Sequence, residues 1–216
     1  MYYSTLTRRT CDAFQQFPSS TDSATPTVDR YPAMDYSDKD YDLKEAMMSD
    51  ILILVEEGYE ELELWVPYYR FLEAELSIEV VGKEKGKTYA GKHGIAVTAG
   101  DSFGEMSLDG VKALVIPGGL APDRLRLHKD ALDLVRNANE KGIVIAAICH
   151  AGSVLVSAGV VSGRRLTSYC SIRDDLVAAG GKWVDEPVVV DKNLITSRTP
   201  NDLPQFLPAI LNAFKG

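Results

Sequence analysis

The 216-residue chain contains little of what many specialised classes of protein require. It has three cysteines, Cys11, Cys149 and Cys170, which are too few and too widely spaced to suggest a disulfide framework or a CxxC metal site. This usage is typical of a reducing, cytoplasmic compartment. No apolar run reaches the ~18–20 residues that a membrane-spanning helix needs, so no membrane association is expected.

Positive charge is also scarce, because 31 acidic residues outnumber 23 Lys and Arg and leave a formal net charge of -8. Nucleic acids and anionic membrane surfaces attract proteins with a positive field, so neither is expected as the main partner. The sequence has neither a GxGxxG motif after its first apolar run nor a GxxxxGK[ST] motif. Dinucleotide binding and P-loop nucleotide hydrolysis are therefore disfavoured, and we expect no cofactor and no metal.

The first 48 residues differ in composition from the rest of the chain. The stretch 11–42 is rich in Ser, Thr, Asp, Pro and Tyr and has no helical or alternating apolar pattern. Such a segment cannot bury enough apolar surface to fold, which predicts a disordered extension over 1–48. A targeting segment, or a chain that starts at Met47 or Met48, is the alternative. The folded domain is expected over 49–216.

From Ile51 onward, short apolar runs alternate with segments of helical periodicity. Strands are predicted at 51–55, 77–82, 112–119 and 143–148, helices at 60–75, 128–142, 151–159, 172–181 and 201–214, and two short strands within 188–197. This alternation predicts an α/β fold. We expect a single-domain, flavodoxin-like sandwich whose mostly parallel sheet has helices on both faces.

A thiol and an imidazole stand where one buried strand ends, in the sequence IVIAAICHAGS. In an open α/β sheet, ligands bind beyond the carboxyl ends of the strands, where Cys149 and His150 lie. A strand, a sharp turn, a nucleophile and a helix form a nucleophile elbow, although the G-x-S-x-G pattern is absent. The helix N-terminus beside the sulfur would favour the thiolate. A reactive nucleophile and an inert buried thiol are both compatible with this position.

Carboxylates follow the first strand and therefore lie at the same edge of the sheet. Glu60 and Glu63 are three residues apart and share one face of the helix that starts there. A carboxyl group near Cys149 could move protons or donate a hydrogen bond to the thiolate. It would need a raised pKa to stay protonated beside that charge. The other acids of the segment, Glu56, Glu57 and Glu61, are expected to be solvated.

A glycine-rich turn, IPGGLAPD at 116–123, follows a third strand. Gly118 and Gly119 would let backbone N–H groups approach a ligand closely. Together with the N–H of His150 they could form an oxyanion hole, and an ordinary turn is the alternative. His93 is expected only as a turn residue.

These motifs together resemble the ThiJ/PfpI (DJ-one) family of intracellular proteases and glyoxalases, within the class I glutamine amidotransferase-like superfamily. The resemblance extends from Ile51 to about Phe214 and is closest to the PfpI branch, whose members have Cys followed directly by His. It rests on EGYEELEL, GKHG, PGGLAPD, AAICHAG, GRRLTSY, SIRDDL, GGKWVDEPVVVD and ITSRTPNDLPQF.

The resemblance implies a role for each residue that matches a family motif. Cys149 matches the family nucleophile, and His150 its neighbour. Glu63 matches the glutamate that touches the sulfur, and Glu60 a second acid of the pocket. The other matches are the backbone oxyanion donors Gly119 and His150 and the pocket-edge residues Lys92 and Tyr169.

The chain departs from the family pattern at three positions. In the PfpI branch, a glutamate in the glycine turn reaches into the site of a neighbouring subunit, and here Asp123, one methylene shorter, takes its place. Leu120 stands where the family has Arg, and Cys170 where it has Pro. The resemblance also implies a homo-oligomer, either a dimer or a higher ring.

The resemblance leaves three chemistries open, which physical arguments can rank. Peptide hydrolysis needs an acid for the departing amine, and the adjacent side chains of Cys149 and His150 are expected to diverge on a sharp turn. Aldehyde chemistry requires less, because a thiolate can add to a dicarbonyl while Glu63 moves a proton. We therefore expect a cofactor-independent glyoxalase or deglycase that converts small aldehydes such as methylglyoxal to lactate. A PfpI-type peptidase and a redox-sensing stress protein are the alternatives.

Overall fold

The computed structural model describes residues 49–214, so the predicted extension over 1–48 lies outside the described residues. The strands within the described part are β1 (Ile51–Leu54), β2 (Ile78–Gly82), β3 (Thr88–Ala90), β4 (Ala96–Thr98), β5 (Asp101–Ser102), β6 (Ala113–Ile116), β7 (Val144–Ile148), β8 (Arg165–Leu166), β9 (Lys182–Trp183), β10 (Val188–Asp191) and β11 (Leu194–Ser197). The helices there are α1 (Glu61–Glu73), α2 (Ala121–Leu125), α3 (Lys129–Glu140), α4 (Gly152–Ala158), α5 (Arg173–Ala178) and α6 (Leu203–Asn212).

Seven strands form one sheet in the order β10-β11-β7-β6-β1-β2-β5. Each neighbouring pair is parallel except the edge pair β10 and β11, which is antiparallel. In the centre, Ile53 of β1 pairs with Val80 of β2 on one side and Val115 of β6 on the other. The predicted α/β fold with a mostly parallel sheet is confirmed.

The central strands are covered on both faces, and this explains why their sequences are continuous apolar runs. Every residue of β1, β6 and β7 is buried. Helices supply the covering layers, with α1 packed beside α6, and α3 and α5 packed beside α4. A strand covered on both faces has no polar side, so its sequence does not alternate. Among the described helices, none has the length and apolar character needed to cross a bilayer.

Short elements account for what the periodicity did not predict. Strands β3 and β4 form a separate antiparallel hairpin, and β8 and β9 form a two-residue parallel pair. Strand β5 and helix α2 are two and five residues long. Segments of this length contain too few residues to show a period of 2 or 3.6.

Helical spacing of apolar residues predicted α1, and most of these residues, apart from Trp65, face away from the core. The buried positions of this helix include Leu64, Pro67 and Phe71. The apolar residues on its outer side are exposed, and they are Leu62, Val66, Tyr69 and Leu72. Periodicity therefore predicted the helix correctly, but it did not show which face meets the sheet.

The carboxyl ends of β1, β6 and β7 meet at one edge of the sheet, and Tyr59 connects the loops there. Tyr59 is fully buried and forms isolated bridges with Gly91 and Gly119. Its hydroxyl donates a hydrogen bond to the Ile95 carbonyl at 2.7 Å. The hairpin of β3 and β4 is thereby joined to the loops that follow β1 and β6.

Removing that hydroxyl should weaken this junction. We expect Tyr59→Phe to lower the free energy of unfolding by about 1 kcal/mol, the usual net contribution of one intramolecular hydrogen bond. Urea unfolding followed by circular dichroism measures the change. Tyr69→Phe is the matched control, because Tyr69 is 63% exposed and should lose nothing. Equal stability of the two variants would contradict the assignment.

Candidate active site

Cys149 lies on a sharp turn between β7 and α4. Its φ is 61°, a left-handed conformation that non-glycine residues seldom adopt. A 3-10 turn over Cys149–Ala151 follows and leads into the helix. The carbonyl of Cys149 accepts a hydrogen bond from the Tyr169 N–H at 3.1 Å, which fixes the turn from outside. The predicted nucleophile elbow is therefore present in the backbone.

Glu63 is fully buried in the first turn of α1 and points at this elbow. Its Oε2 accepts a hydrogen bond from the Gly118 N–H at 2.7 Å. Its Oε1 is buried and lacks a partner of full hydrogen-bond geometry in the described chain, yet the Cys149 thiol is near enough to interact with the carboxyl. Burial raises the pKa of Glu63 to about 7, against the opposing effect of the Gly118 N–H. The nearby charge of Glu60 raises it further.

Two glycines allow these groups to approach one another. A Cβ on Gly118 would lie 2.7 Å from both the Cβ of Cys149 and Oε2 of Glu63. Gly119 has a φ of 78°, and a Cβ there would lie 2.4 Å from the carbonyl oxygen of Gly58. The expectation that Gly118 offers its N–H to a ligand is wrong, because Glu63 already accepts from it.

The backbone N–H groups of Gly119 and His150 face the sulfur instead. Burial and then the charge of Glu63 raise the pKa of Cys149 to about 12, while these two N–H groups lower it. The N–H groups thus favour the thiolate, as predicted for this helix start, but burial and the charge of Glu63 outweigh them. Glu63 is fully buried and Cys149 is part-buried, and the thiol loses its proton more readily when Glu63 is protonated than when Glu63 is charged.

The His150 ring is held on both sides. Its Nδ1 lies 3.3 Å from the Cys149 sulfur, and its Nε2 lies 3.1 Å from the Ser171 hydroxyl. The ring stacks on Tyr169 with 5.0 Å between centroids. The expected divergence of the Cys149 and His150 side chains is wrong, because the His150 ring contacts the sulfur. Ser171 was not predicted, and the sequence carries no signal for its contact with His150.

Charged groups surround this cluster at the rim. Lys92 forms an ion pair with Glu60, with Nζ 3.5 Å from Oε2. Burial lowers the pKa of His150, the charge of Asp123 raises it, and Lys92 lowers it. In the described chain, Asp123 makes no hydrogen bond to His150 and acts only through its charge. The structure thus brings the predicted residues to one edge of the sheet, and their catalytic roles remain predictions.

Two acids expected to be solvated are buried. Glu61 is 5% exposed and accepts hydrogen bonds from the backbone and ring nitrogens of His93. Glu56 is also 5% exposed and contacts Nε2 of His128 at 2.8 Å. Each carboxylate gains a partner from a distant loop, which the local sequence does not reveal. Glu57 is partly exposed and accepts a hydrogen bond from a backbone N–H of β3.

One group of side chains has the donor set for a metal ion. Atoms of Glu60, Glu61 and His93 lie within 4.8 Å of one another. Each of them already has a protein partner, because Lys92 neutralises Glu60 and Glu61 is bonded to His93.

The fold and this site define an α/β protein with a cysteine on a nucleophile elbow beside a buried glutamate. Residues 49–213 match the DJ-1/PfpI family, and the chain belongs to that family.

Named relatives show which activities occur among similar proteins. The chain is 44% identical to "Deglycase PfpI" of Pyrococcus furiosus over 153 residues, which cover 71% of this chain and 92% of the relative. It is 39% identical to "Protein/nucleic acid deglycase 2" of Escherichia coli over 162 residues, covering 74% and 94% of the two chains. The crystal structure of Drosophila melanogaster DJ-1beta is similar at a TM-score of 0.69 and 31% identity, covering 78% of this chain and 97% of that one.

The raised pKa of Glu63 makes stability depend on pH. Between the ordinary pKa of 4.5 and the folded pKa of about 7, the folded chain binds a proton that the unfolded chain has released. Stability therefore falls as the pH rises through this window, by about 3 kcal/mol for a shift of this size. Glu63→Gln has no such group and should lack this decline. Between pH 4.5 and 7.5, the unfolding free energy of wild type should therefore fall by about 3 kcal/mol relative to that of Glu63→Gln.

Urea unfolding at a series of pH values measures the effect. Glu73→Gln is the control, because Glu73 is an exposed acid of the same helix and pairs only with Arg70. Parallel pH curves for wild type and Glu63→Gln would show that Glu63 titrates normally in the folded protein.

Proposed function

We propose that the chain is a cofactor-independent, cysteine-dependent enzyme that acts on reactive dicarbonyls or on their adducts, as a glyoxalase III or deglycase. The observation that carries the proposal is the part-buried Cys149 and the fully buried Glu63, side by side and next to the N–H groups of Gly119 and His150. A thiol, a proton-carrying carboxyl and two oxyanion donors are the groups that this chemistry needs. Relatives named as deglycases support the same reading.

The reaction with methylglyoxal balances without a cofactor. The Cys149 sulfur adds to the aldehyde carbon, the thiol proton passes to the pocket, and the new oxyanion is protonated to give a hemithioacetal. Glu63 then takes the C–H proton and returns a proton to the neighbouring carbon, while the hydroxyl proton of the hemithioacetal passes to the former ketone oxygen, which leaves a lactoyl thioester. Water cleaves the thioester to lactate and restores the thiol. The sum is methylglyoxal plus water giving lactate.

Glu63 can serve in these steps both as an acid and as a base, because its proton is shared with the Cys149 sulfur. When the carboxyl holds the proton, the neighbouring sulfur can be a thiolate and attack. When the substrate carries the sulfur, the thiolate charge is gone and the carboxyl can act as a base. A pKa near 7 lets one group serve in both states at neutral pH.

The direct test is lactate production from methylglyoxal without glutathione. We expect turnover in freshly reduced wild type, and losses of at least about a hundredfold in Cys149→Ser and in Glu63→Gln, because each removes a covalent or proton-transfer group. Glu73→Gln should keep full activity. A wild-type protein without turnover would refute the dicarbonyl proposal.

A cysteine peptidase is the second candidate, because His150 Nδ1 lies 3.3 Å from the sulfur. A Bacillus subtilis relative at 36% identity, YraA, is named as a candidate cysteine protease. Peptide cleavage that is abolished by Cys149→Ser would support this activity. A redox-sensing role is the third, and would show as selective peroxide oxidation of Cys149 in a protein that turns over neither substrate.

We also propose that the chain associates with a second copy through the outer face of α1. This face is apolar and exposed, as at Leu62 and Tyr69, and Ile95 of the neighbouring hairpin extends it. The chain carries a net charge of -8, so two copies repel each other least where an uncharged stripe faces its equivalent. Such a contact is the same patch on both subunits, as in a two-fold dimer.

A charge on the stripe should separate the copies. We expect Leu62→Glu to reduce the molar mass measured by light scattering after gel filtration from that of an oligomer to that of the monomer. Val177→Glu is the control, since Val177 is equally exposed, at 52% against 53%, on another helix. A monomeric wild type, or an oligomer that survives Leu62→Glu, would refute the proposal.

A further inference from the structure

The His150 ring makes one contact on each of its two nitrogens. Nδ1 faces the Cys149 sulfur at 3.3 Å, and Nε2 faces the Ser171 hydroxyl at 3.1 Å. In a neutral imidazole one nitrogen donates and the other accepts, so when Nε2–H donates to the Ser171 hydroxyl, Nδ1 can accept from the thiol. Ser171 therefore has a position from which it can control the proton at the thiol.

The backbone around Ser171 fixes this position. The Tyr169 N–H donates to the carbonyl of Cys149 at 3.1 Å, which places the start of the 3-10 turn Cys170–Ile172 against the elbow. Tyr169 and Ser171 both face His150, the first by stacking and the second by its hydroxyl. The ring is thus restrained from one side by a single short turn.

Other charged groups reach His150 only at a distance. Asp123 on α2 raises the pKa of the ring and Lys92 of the hairpin lowers it, while burial lowers it most. Cys149 and Glu63 form the coupled pair on the sulfur side. Within the described residues, Ser171 is the one group that bonds to Nε2. A neutral hydroxyl thus stands where a Cys-His-acid triad would place a carboxylate.

We propose that Ser171 is a positioning residue that holds His150 with Nδ1 directed at the Cys149 sulfur. As a bond acceptor for Nε2–H, it leaves the Nδ1 lone pair free to take the thiol proton. The resulting imidazolium donates from Nδ1 to the thiolate and from Nε2 to the serine. The hydroxyl accepts in both states and adds no charge, so it orients the base without the strong stabilisation of imidazolium that a carboxylate gives.

The inference deepens the proposed function and rests on it for its catalytic meaning, but the state of the thiol can be measured alone. Iodoacetamide alkylates a thiolate when the sulfur displaces iodide, and this needs no substrate of the enzyme. Trypsin cleaves after Lys141, Arg164 and Arg165, which places Cys149 and Cys170 in different peptides. Mass spectrometry of those peptides gives the alkylation rate of Cys149 separately.

The experiment compares Ser171→Ala and Ser171→Thr with wild type from pH 5 to 9. We expect Ser171→Ala to alkylate at Cys149 about tenfold more slowly at pH 7, and the rise in its rate to move to higher pH, because the imidazolium loses an acceptor. Ser171→Thr keeps the hydroxyl and should restore both. Ser107→Ala is the control, since Ser107 is an exposed serine whose hydroxyl accepts one hydrogen bond away from the site. The melting temperature should not change in any variant.

Turnover gives the second readout. Ser171→Ala should lower kcat/KM for methylglyoxal about tenfold, mostly through kcat, and Ser171→Thr should recover it. A Ser171→Ala alkylation profile identical to wild type would overturn the inference, and so would a Thr variant as slow as Ala. Slower turnover with unchanged alkylation would also overturn it, because Ser171 would then act on the substrate. If wild type turns over no dicarbonyl while Ser171→Ala still shifts the alkylation profile, the proposed function fails and the positioning role stands.

Discussion

The organisation of the site depends on a fully buried carboxyl and a part-buried thiol that lie beside each other. Glu63 is completely buried, and one of its oxygens is held by the Gly118 N–H. Desolvation opposes two adjacent negative charges, so the pair favours a single charge and shares a proton. Everything else at this edge of the sheet supports that arrangement. The glycine loop gives the carboxyl its donor, and the left-handed Cys149 turns the sulfur towards it.

A flexible segment would lose conformational entropy if it held these two groups together, so rigid elements of the fold are better suited to carry them. The acid stands in the first turn of α1, and the thiol follows the buried strand β7. Strand β7 and the strand that precedes α1, β1, belong to the same sheet, whose central strands are buried along their whole length. Parallel strands bring their carboxyl ends to one edge, so residues far apart in sequence converge there. The packed core thereby holds the sulfur and the carboxyl at a fixed distance from each other.

The sequence was sufficient for the long elements and for the edge at which the site forms. Continuous apolar runs and helical periodicity reflect burial on both faces, and they predicted the central strands and the main helices. They failed for α1 in one respect, because its regular apolar stripe faces outward while Leu64 and Phe71 pack inward. A periodic pattern shows that a helix has an apolar side, but not what covers that side. The two-residue strands were too short to carry any pattern.

At the site, the residue types were predictable but their hydrogen bonds were not. Cys149, Glu63 and Gly119 follow strand ends, so their convergence follows from topology. The buried Glu61 and the partner of the His150 ring depend on contacts with loops that are distant in sequence. The contact between His150 and the sulfur was not predictable either, because adjacent side chains tend to diverge on sharp turns and the left-handed φ of Cys149 cannot be read from the sequence.

The sulfur consequently has two possible proton acceptors on different sides, and they suit different reactions. Glu63 is buried beside the sulfur, so in the proposed reaction it can take the C–H proton of the hemithioacetal and return a proton to the neighbouring carbon. His150 is nearer the surface and has a pKa lowered mainly by burial, so it exchanges protons with water or with a departing group. In the proposed reaction, Glu63 serves the isomerisation of the dicarbonyl, and His150 is placed to serve the hydrolysis of the acyl intermediate. A site with both can carry a reaction that begins as an isomerisation and ends with the attack of water.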